Sequence, residues 1–149
     1  MAGVAGADEI PHPERRQPVG VDPALSRTDR PALGEISATI SRSIVGIHRE
    51  YLGRGPTKAR TSIRDNTVVV LMEDTLTKAE RSLIGDGKQD EVLQTRHSFQ
   101  MTMRLDMVAA VEEATGRTVI AFMSDNHVEP DLACEIFVLE PENGPSAVN

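Results

Sequence analysis

The chain has 149 residues, enough for one ordinary domain and too few for two. Its 23 acidic and 16 basic residues leave a net charge of −7, the wrong sign for a general nucleic-acid coat. One cysteine excludes an internal disulfide, and no run of about 18 apolar residues is present to cross a bilayer, so the expectation is a cytoplasmic protein without direct membrane insertion.

Residues 1–31 carry Pro11, Pro13, Pro18, Pro23 and Pro31 among few apolar residues, and the opening "MAGVAGADEIPHPERR" lacks a basic start before an apolar core. Such a segment buries too little surface to offset its ordering entropy, which predicts a disordered tail and no secretory leader. Residues 141–149 read as a second, shorter tail. The folded domain is expected over 32–140. With three Phe, one Tyr and no Trp, its core must be built from Val, Ile, Leu and Met.

In "GEISATISRSIVGIHREYLG", Ile36, Ile40, Ile44, Ile47 and Tyr51 recur at helical spacing. Gly53 or Gly55 supplies a left-handed stop, and Pro56 forbids continuation. "KARTSIR" then alternates with period two, "TVVVLME" is nearly all apolar, and Asp65-Asn66 between them predicts a tight hairpin. A second helix opens in "TLTKAERSLI", where Thr77 and Glu80 have capping-box spacing, and Gly85 and Gly87 interrupt it. A longer helix follows in "DEVLQTRHSFQMTMRLDMVAAVEEATG", with Val92, Phe99, Met103, Met107, Ala110 and Ala114 near one face and Gly116 at its end. "TVIAFMSD" and "LACEIFVLE" form the last two strands across "NHVEPD". The prediction is an α+β fold in the order α-β-β-α-α-β-β, an antiparallel sheet of about four strands from two hairpins packed with three helices.

The stretch "GRGPTKARTSIRD" sets Arg54, Lys58, Arg60 and Arg64 close together. A nucleotide P-loop needs a strand, then glycines, then a helix N-terminus; here the glycines follow a helix and precede a strand. With a two-residue turn at Asp65-Asn66, facing residues of the hairpin sum to 131. Ala59, Thr61 and Ile63 then share a core face with Met72, Val70 and Val68. Lys58, Arg60, Ser62 and Arg64 share the other with Glu73, Leu71, Val69 and Thr67. Same-face neighbours lie about 7 Å apart, so a like-charged pair costs roughly 0.6 kcal/mol in water. Two readings stay open: a solvated basic edge that discourages edge-to-edge pairing, and a strip that binds an anion or an acidic partner through Arg54, Lys58, Arg60 and Arg64. Val69 and Leu71 need a cover, supplied by the first helix or by a second copy of the chain, which marks them as candidate oligomer contacts.

Other constellations give no chemistry. Asp125, His127, Glu129 and Asp131 lie two residues apart, but a calcium loop would need a glycine where Pro130 stands, and a zinc site would need a second His or a Cys; no metal is expected. Cys134 runs in phase with Ile136 and Val138, which predicts a buried small residue and no nucleophile. Arg96 and His97 are expected on a solvated helix face, and the methionines at 101, 103 and 107 as core filling. His12, His48, His97 and His127 are scattered and make no Ser/His/Asp arrangement. An enzyme would have to join Arg96 with Asp125 and His127. The expectation is a non-enzyme without a cofactor. No aromatic residue interleaves the basic strip, so no nucleic-acid partner is expected.

"GRGPTKARTSIRDNTVVVL", "LTKAERSLI", "TGRTVIAFMSD" and "EIFVLE" stand in the order and spacing of the MpsC-like family, which the chain resembles over roughly residues 34–140. The resemblance implies a cytosolic accessory or regulatory component of a bacterial sodium-translocating, membrane-potential-generating system, working through protein–protein contacts. It implies a membrane transport protein as partner, alongside the homo-oligomer read from Val69 and Leu71. It carries over no catalytic residue. The matching positions are Gly53, Gly55, Pro56, Thr77, Glu80, Gly116 and Asp125, most of them with the structural roles given above. The alternative is a small-ligand sensor that binds a nucleotide or another anion on the basic strand.

Overall fold

Helix α1 (Leu33–Leu52) turns Ile40 and Ile44 fully into the core, with Ile36, Ile47 and Tyr51 packed beside them, as the spacing predicts. His48 lies on the same stripe and is equally buried. A computed structural model describes residues 32–142 of the chain; the tail expected over 1–31, and the other from residue 143 onward, fall outside the described residues. Gly53 ends α1 at φ 78°, its N–H donating to the Arg49 carbonyl at 3.0 Å. Gly55 answers a different need: a Cβ there would stand 3.1 Å from both the Val45 side chain and its carbonyl. The glycines of "GRG" are thus a helix stop and a close approach.

Strands β1 (Lys58–Arg64) and β2 (Thr67–Glu73) pair in the predicted register, from Lys58 opposite Glu73 to Arg64 opposite Thr67. Asp65 takes φ 51° in the two-residue turn. Helix α2 (Lys78–Gly85) carries the full capping box: Glu80 N–H donates to Thr77 Oγ1 at 3.1 Å, and Thr77 N–H to Glu80 Oε1 at 2.8 Å. Helix α3 (Gln89–Thr115) follows, and Gly116 closes it at φ 67°. Strands β3 (Val119–His127) and β4 (Leu132–Leu139) complete one antiparallel sheet of order β1-β2-β4-β3.

Helices α1 and α3 lie on one face of this sheet. The core joins Ile40, Ile44, Met103, Met107 and Val111 to Val68, Val70, Met72, Ala133, Phe137 and Leu139. Ser41 and Thr61 hydroxyls meet at 2.7 Å under β1, and Tyr51 donates to Asp106 at 2.7 Å, tying α1 to α3.

Four expectations are corrected. The buried line of α3 is Val92, Arg96, Gln100, Met103, Met107 and Val111, while Phe99 is exposed and Ala110 half-buried, because the helix face is continued by polar residues. Met101 is exposed and fills no core, unlike Met103 and Met107. Arg96, expected in solvent, is only 2 % exposed. Its Nη1 donates to both Glu80 carboxylate oxygens at 3.0 and 3.1 Å, Nη2 to Thr75 Oγ1 at 2.9 Å, and Nε to Asn126 Oδ1 at 2.9 Å. Gln100 exchanges hydrogen bonds with the same Asn126. This network joins α2, α3 and β3, and its polarity hides the helix period from a hydrophobic count. The fourth is Cys134, half-buried on the face opposite the core, because Ala133, Glu135, Phe137 and Leu139 take the inward phase of β4.

Removing one partner of a buried ion pair strands the other charge. Arg96→Met is therefore expected to cost about 3–5 kcal/mol, and Arg81→Ala, at a half-exposed pair, about 0–1 kcal/mol, by urea denaturation.

Candidate functional site

Strand alternation assigns every residue of the sheet to one of two faces, and the cross-strand register turns the face away from the helices into four rows. They run Lys58–Glu73–Leu132–His127, Arg60–Leu71–Cys134–Asp125, Ser62–Val69–Ile136–Met123 and Arg64–Thr67–Val138–Ala121. None of these residues belongs to the core cluster or packs against it. Met123 is 50 % exposed, and Val69, Leu71, Leu132, Cys134, Ile136 and Val138 are half-buried. This is the candidate site: an apolar centre on β2, β4 and β3 between a basic β1 edge and the carboxylate of Asp125.

The candidates from the sequence divide on this surface. Val69 and Leu71 stand at its centre, and α1, which packs on the other side, is not their cover. Arg60 and Arg64 are exposed on the same face, and neither has an ion-pair partner among the described residues. Lys58 is paired with Glu73 at 3.6 Å. Arg54 does not join the strip. It donates to the Leu76 carbonyl at 2.5 Å and to Asp74 Oδ2 at 3.0 Å, holding the loop before α2. The Arg54 hydrogen bond, with Arg81 adding its charge, keeps the Asp74 carboxyl below the usual carboxylate range.

The acidic run also separates. Asp131 accepts from Thr75 N–H and Leu76 N–H at 3.1 and 3.0 Å and from Arg81 at 3.2 Å, so it caps that same loop. Asp125 and His127 lie on the open face, where His127 Nδ1–H donates to the Pro130 carbonyl at 2.8 Å. With Leu71, Leu132 and Cys134 they line a shallow depression of about 310 Å³. Arg96 lies on the opposite, helix-covered side of the sheet, so the grouping of Arg96 with Asp125 and His127 does not form. Burial, with Glu135 and Asp125 adding negative charge, pushes the Cys134 thiol up, which keeps it protonated at neutral pH.

One polar pair went unforeseen. Glu135, completely buried, faces His48 Nε2 across 3.5 Å, while His48 Nδ1–H donates to the Ile44 carbonyl at 2.9 Å. Neither carboxylate oxygen has a hydrogen-bond partner among the described residues. Its only signal in the sequence is position: His48 continues the Ile40–Ile44 spacing, and Glu135 sits in phase with Phe137.

Residues 32–141 match a family described as "Na+-translocating membrane potential-generating system (MpsC)". No curated protein and no solved structure matches the chain.

Two outcomes follow from these polar groups. Asp74 has a depressed folded-state carboxyl, so its stabilisation is present above the unfolded value and is lost as pH falls below about 4. Asp74→Asn should accordingly be less stable than the parent at pH 7, with the gap closing on acidification, as followed by thermal melts between pH 7 and 3. At the buried pair, His48→Leu should destabilise by about 1–3 kcal/mol by removing the polar group that faces the Glu135 carboxyl, whereas Glu135→Gln, which can donate to Nε2, should keep parental stability in urea titrations.

Proposed function

The chain belongs to the MpsC family, and from that premise we propose that it is a cytoplasmic, non-enzymatic accessory or regulatory component of a sodium-translocating, membrane-potential-generating system. It acts through protein–protein contacts, with a membrane transport component as partner and self-association among them. The observation that carries this reading is the open sheet face, where Val69, Leu71, Leu132, Ile136, Val138 and Met123 form a contiguous apolar centre beside Arg60 and Arg64. An apolar surface rimmed by charge is the usual signature of a protein contact. No helix among the described residues is long and apolar enough to cross a membrane, which suits a component that meets its membrane partner by docking.

A second reading rests on Arg60 and Arg64, exposed and without an ion-pair partner among the described residues: a sensor that takes phosphate or a nucleotide by charge-assisted hydrogen bonds. Arg54 and Lys58 contribute less to it, since each already faces a carboxylate.

Leu71→Asp places a charge in the apolar centre without touching the core. In cells it should lower the sodium-dependent membrane potential toward that of a deletion strain, while the melting temperature of the purified variant stays within a few degrees of the parent. Undiminished potential with Leu71→Asp would remove the contact reading. Stabilisation of the parent by phosphate or nucleotides at low salt, lost in Arg60→Gln, would instead favour the sensor.

A further inference from the structure

The open face has a charge pattern that selects its occupant. Its polar edges are of opposite sign: β1 contributes Lys58, Arg60 and Arg64, and β3 contributes Asp125. Arg60 and Asp125 stand at the two ends of one cross-strand row, with Leu71 and Cys134 between them. We propose that this face binds a second copy of the chain, the two sheets stacked face to face about a two-fold axis running parallel to the strands. The proposal rests on the reading of the face as a protein-contact surface and specifies which protein and which geometry.

Two two-fold arrangements can stack this face on itself, and charge decides between them. With the axis across the strands, β1 lies over the partner's β1. Four arginines and two Lys58–Glu73 pairs then share one edge and two aspartates the other, which is repulsive on both sides. With the axis along the strands, each row lies over itself reversed. Arg60 then faces the partner's Asp125, Leu71 faces the partner's Cys134, and Val69 faces the partner's Ile136. The symmetry repeats each contact, so both ends of the row are neutralised at once. Aligned sheets pack about 10 Å apart at roughly 30°, which displaces the edge strands, about 7 Å from the axis, by only about 3–4 Å. An arginine side chain spans that offset. The central contacts lie near the axis and stay in register.

The area sets the expected strength. Four strands about 4.8 Å apart and seven residues at about 3.3 Å give a flat footprint of about 440 Å², to which side-chain relief adds. A standard interface buries about 800 Å² per partner, so this one sits at the modest end and should respond to concentration and to single charges.

The test is analytical ultracentrifugation of the full chain over a range of concentrations, for the parent, Arg60→Glu, Asp125→Lys, and an equimolar mixture of the two variants. Both positions are exposed, and circular dichroism checks that each variant folds; Arg60→Gln replaces the first should it misfold. The parent should dimerise. Each variant alone should dimerise about tenfold or more weakly, because like charges then face each other twice. The mixture should recover the parental affinity, since both crossings become attractive again. A dimer strengthened by Arg60→Glu, or a mixture that fails to recover, would overturn the geometry. A strictly monomeric parent would overturn the second copy, and alkylation of Cys134 then separates two cases. A reactive thiol leaves the face open to a different protein, and the proposed function stands without its self-association. A thiol still protected at a pH high enough to ionise it is covered within the monomer, and the contact reading falls with the dimer.

Discussion

The two-residue turn at Asp65-Asn66 sets the side to which every residue of the first hairpin points. A slip of one residue would exchange the two faces of β1 and β2 and carry Val68, Val70 and Met72 out of the core. Arg117 reinforces the turn from outside: it donates to the Asp65 carbonyl at 3.1 Å, to Asn66 Oδ1 at 2.7 Å and to the Glu140 carbonyl at 2.9 Å. The first hairpin, the start of β3 and the end of β4 are thereby held at one corner. Because β2 pairs with β4 along its whole length, the register chosen at the turn is transmitted across the sheet.

At the opposite end, charge takes over from apolar packing. Arg96 links Glu80 on α2, Thr75 in the preceding loop and Asn126 on β3, and Asp131 receives the loop's amides from the β4 side. A buried guanidinium with its donors satisfied on three elements specifies their mutual placement, which aliphatic contacts alone would leave loose. Glu80 serves twice, as a capping carboxylate and as the ion-pair partner of Arg96. Arg96 and Glu80 are thus occupied in building a corner, on the side of the sheet away from Asp125 and His127.

With both long helices on one face, the other face must meet solvent or another surface. Strands β2 and β4 carry apolar residues on both sides, a pattern typical of strands covered twice. The covered side here has α1 and α3; among the described residues nothing packs on the other side. The protein contact proposed above would give this second apolar side a use.

The residues by themselves determined a good deal. Helix stops, the capping box and the hairpin turn depend on neighbours a few positions apart, so the element order, the register of β1 on β2, and the face shared by Arg60, Val69 and Leu71 could be read before any fold was seen. Only the tertiary structure decided the rest. "LACEIFVL" is apolar in both phases apart from Glu135, and the polar residue, expected to mark the outward phase, points inward, where it faces His48 on α1. Arg96 was buried, and Arg54 drawn from the strip, by partners distant in the chain. Local pattern governs what a segment becomes. Which of its faces is covered, and by what, depends on contacts between segments, and those exist only once the chain has closed on itself.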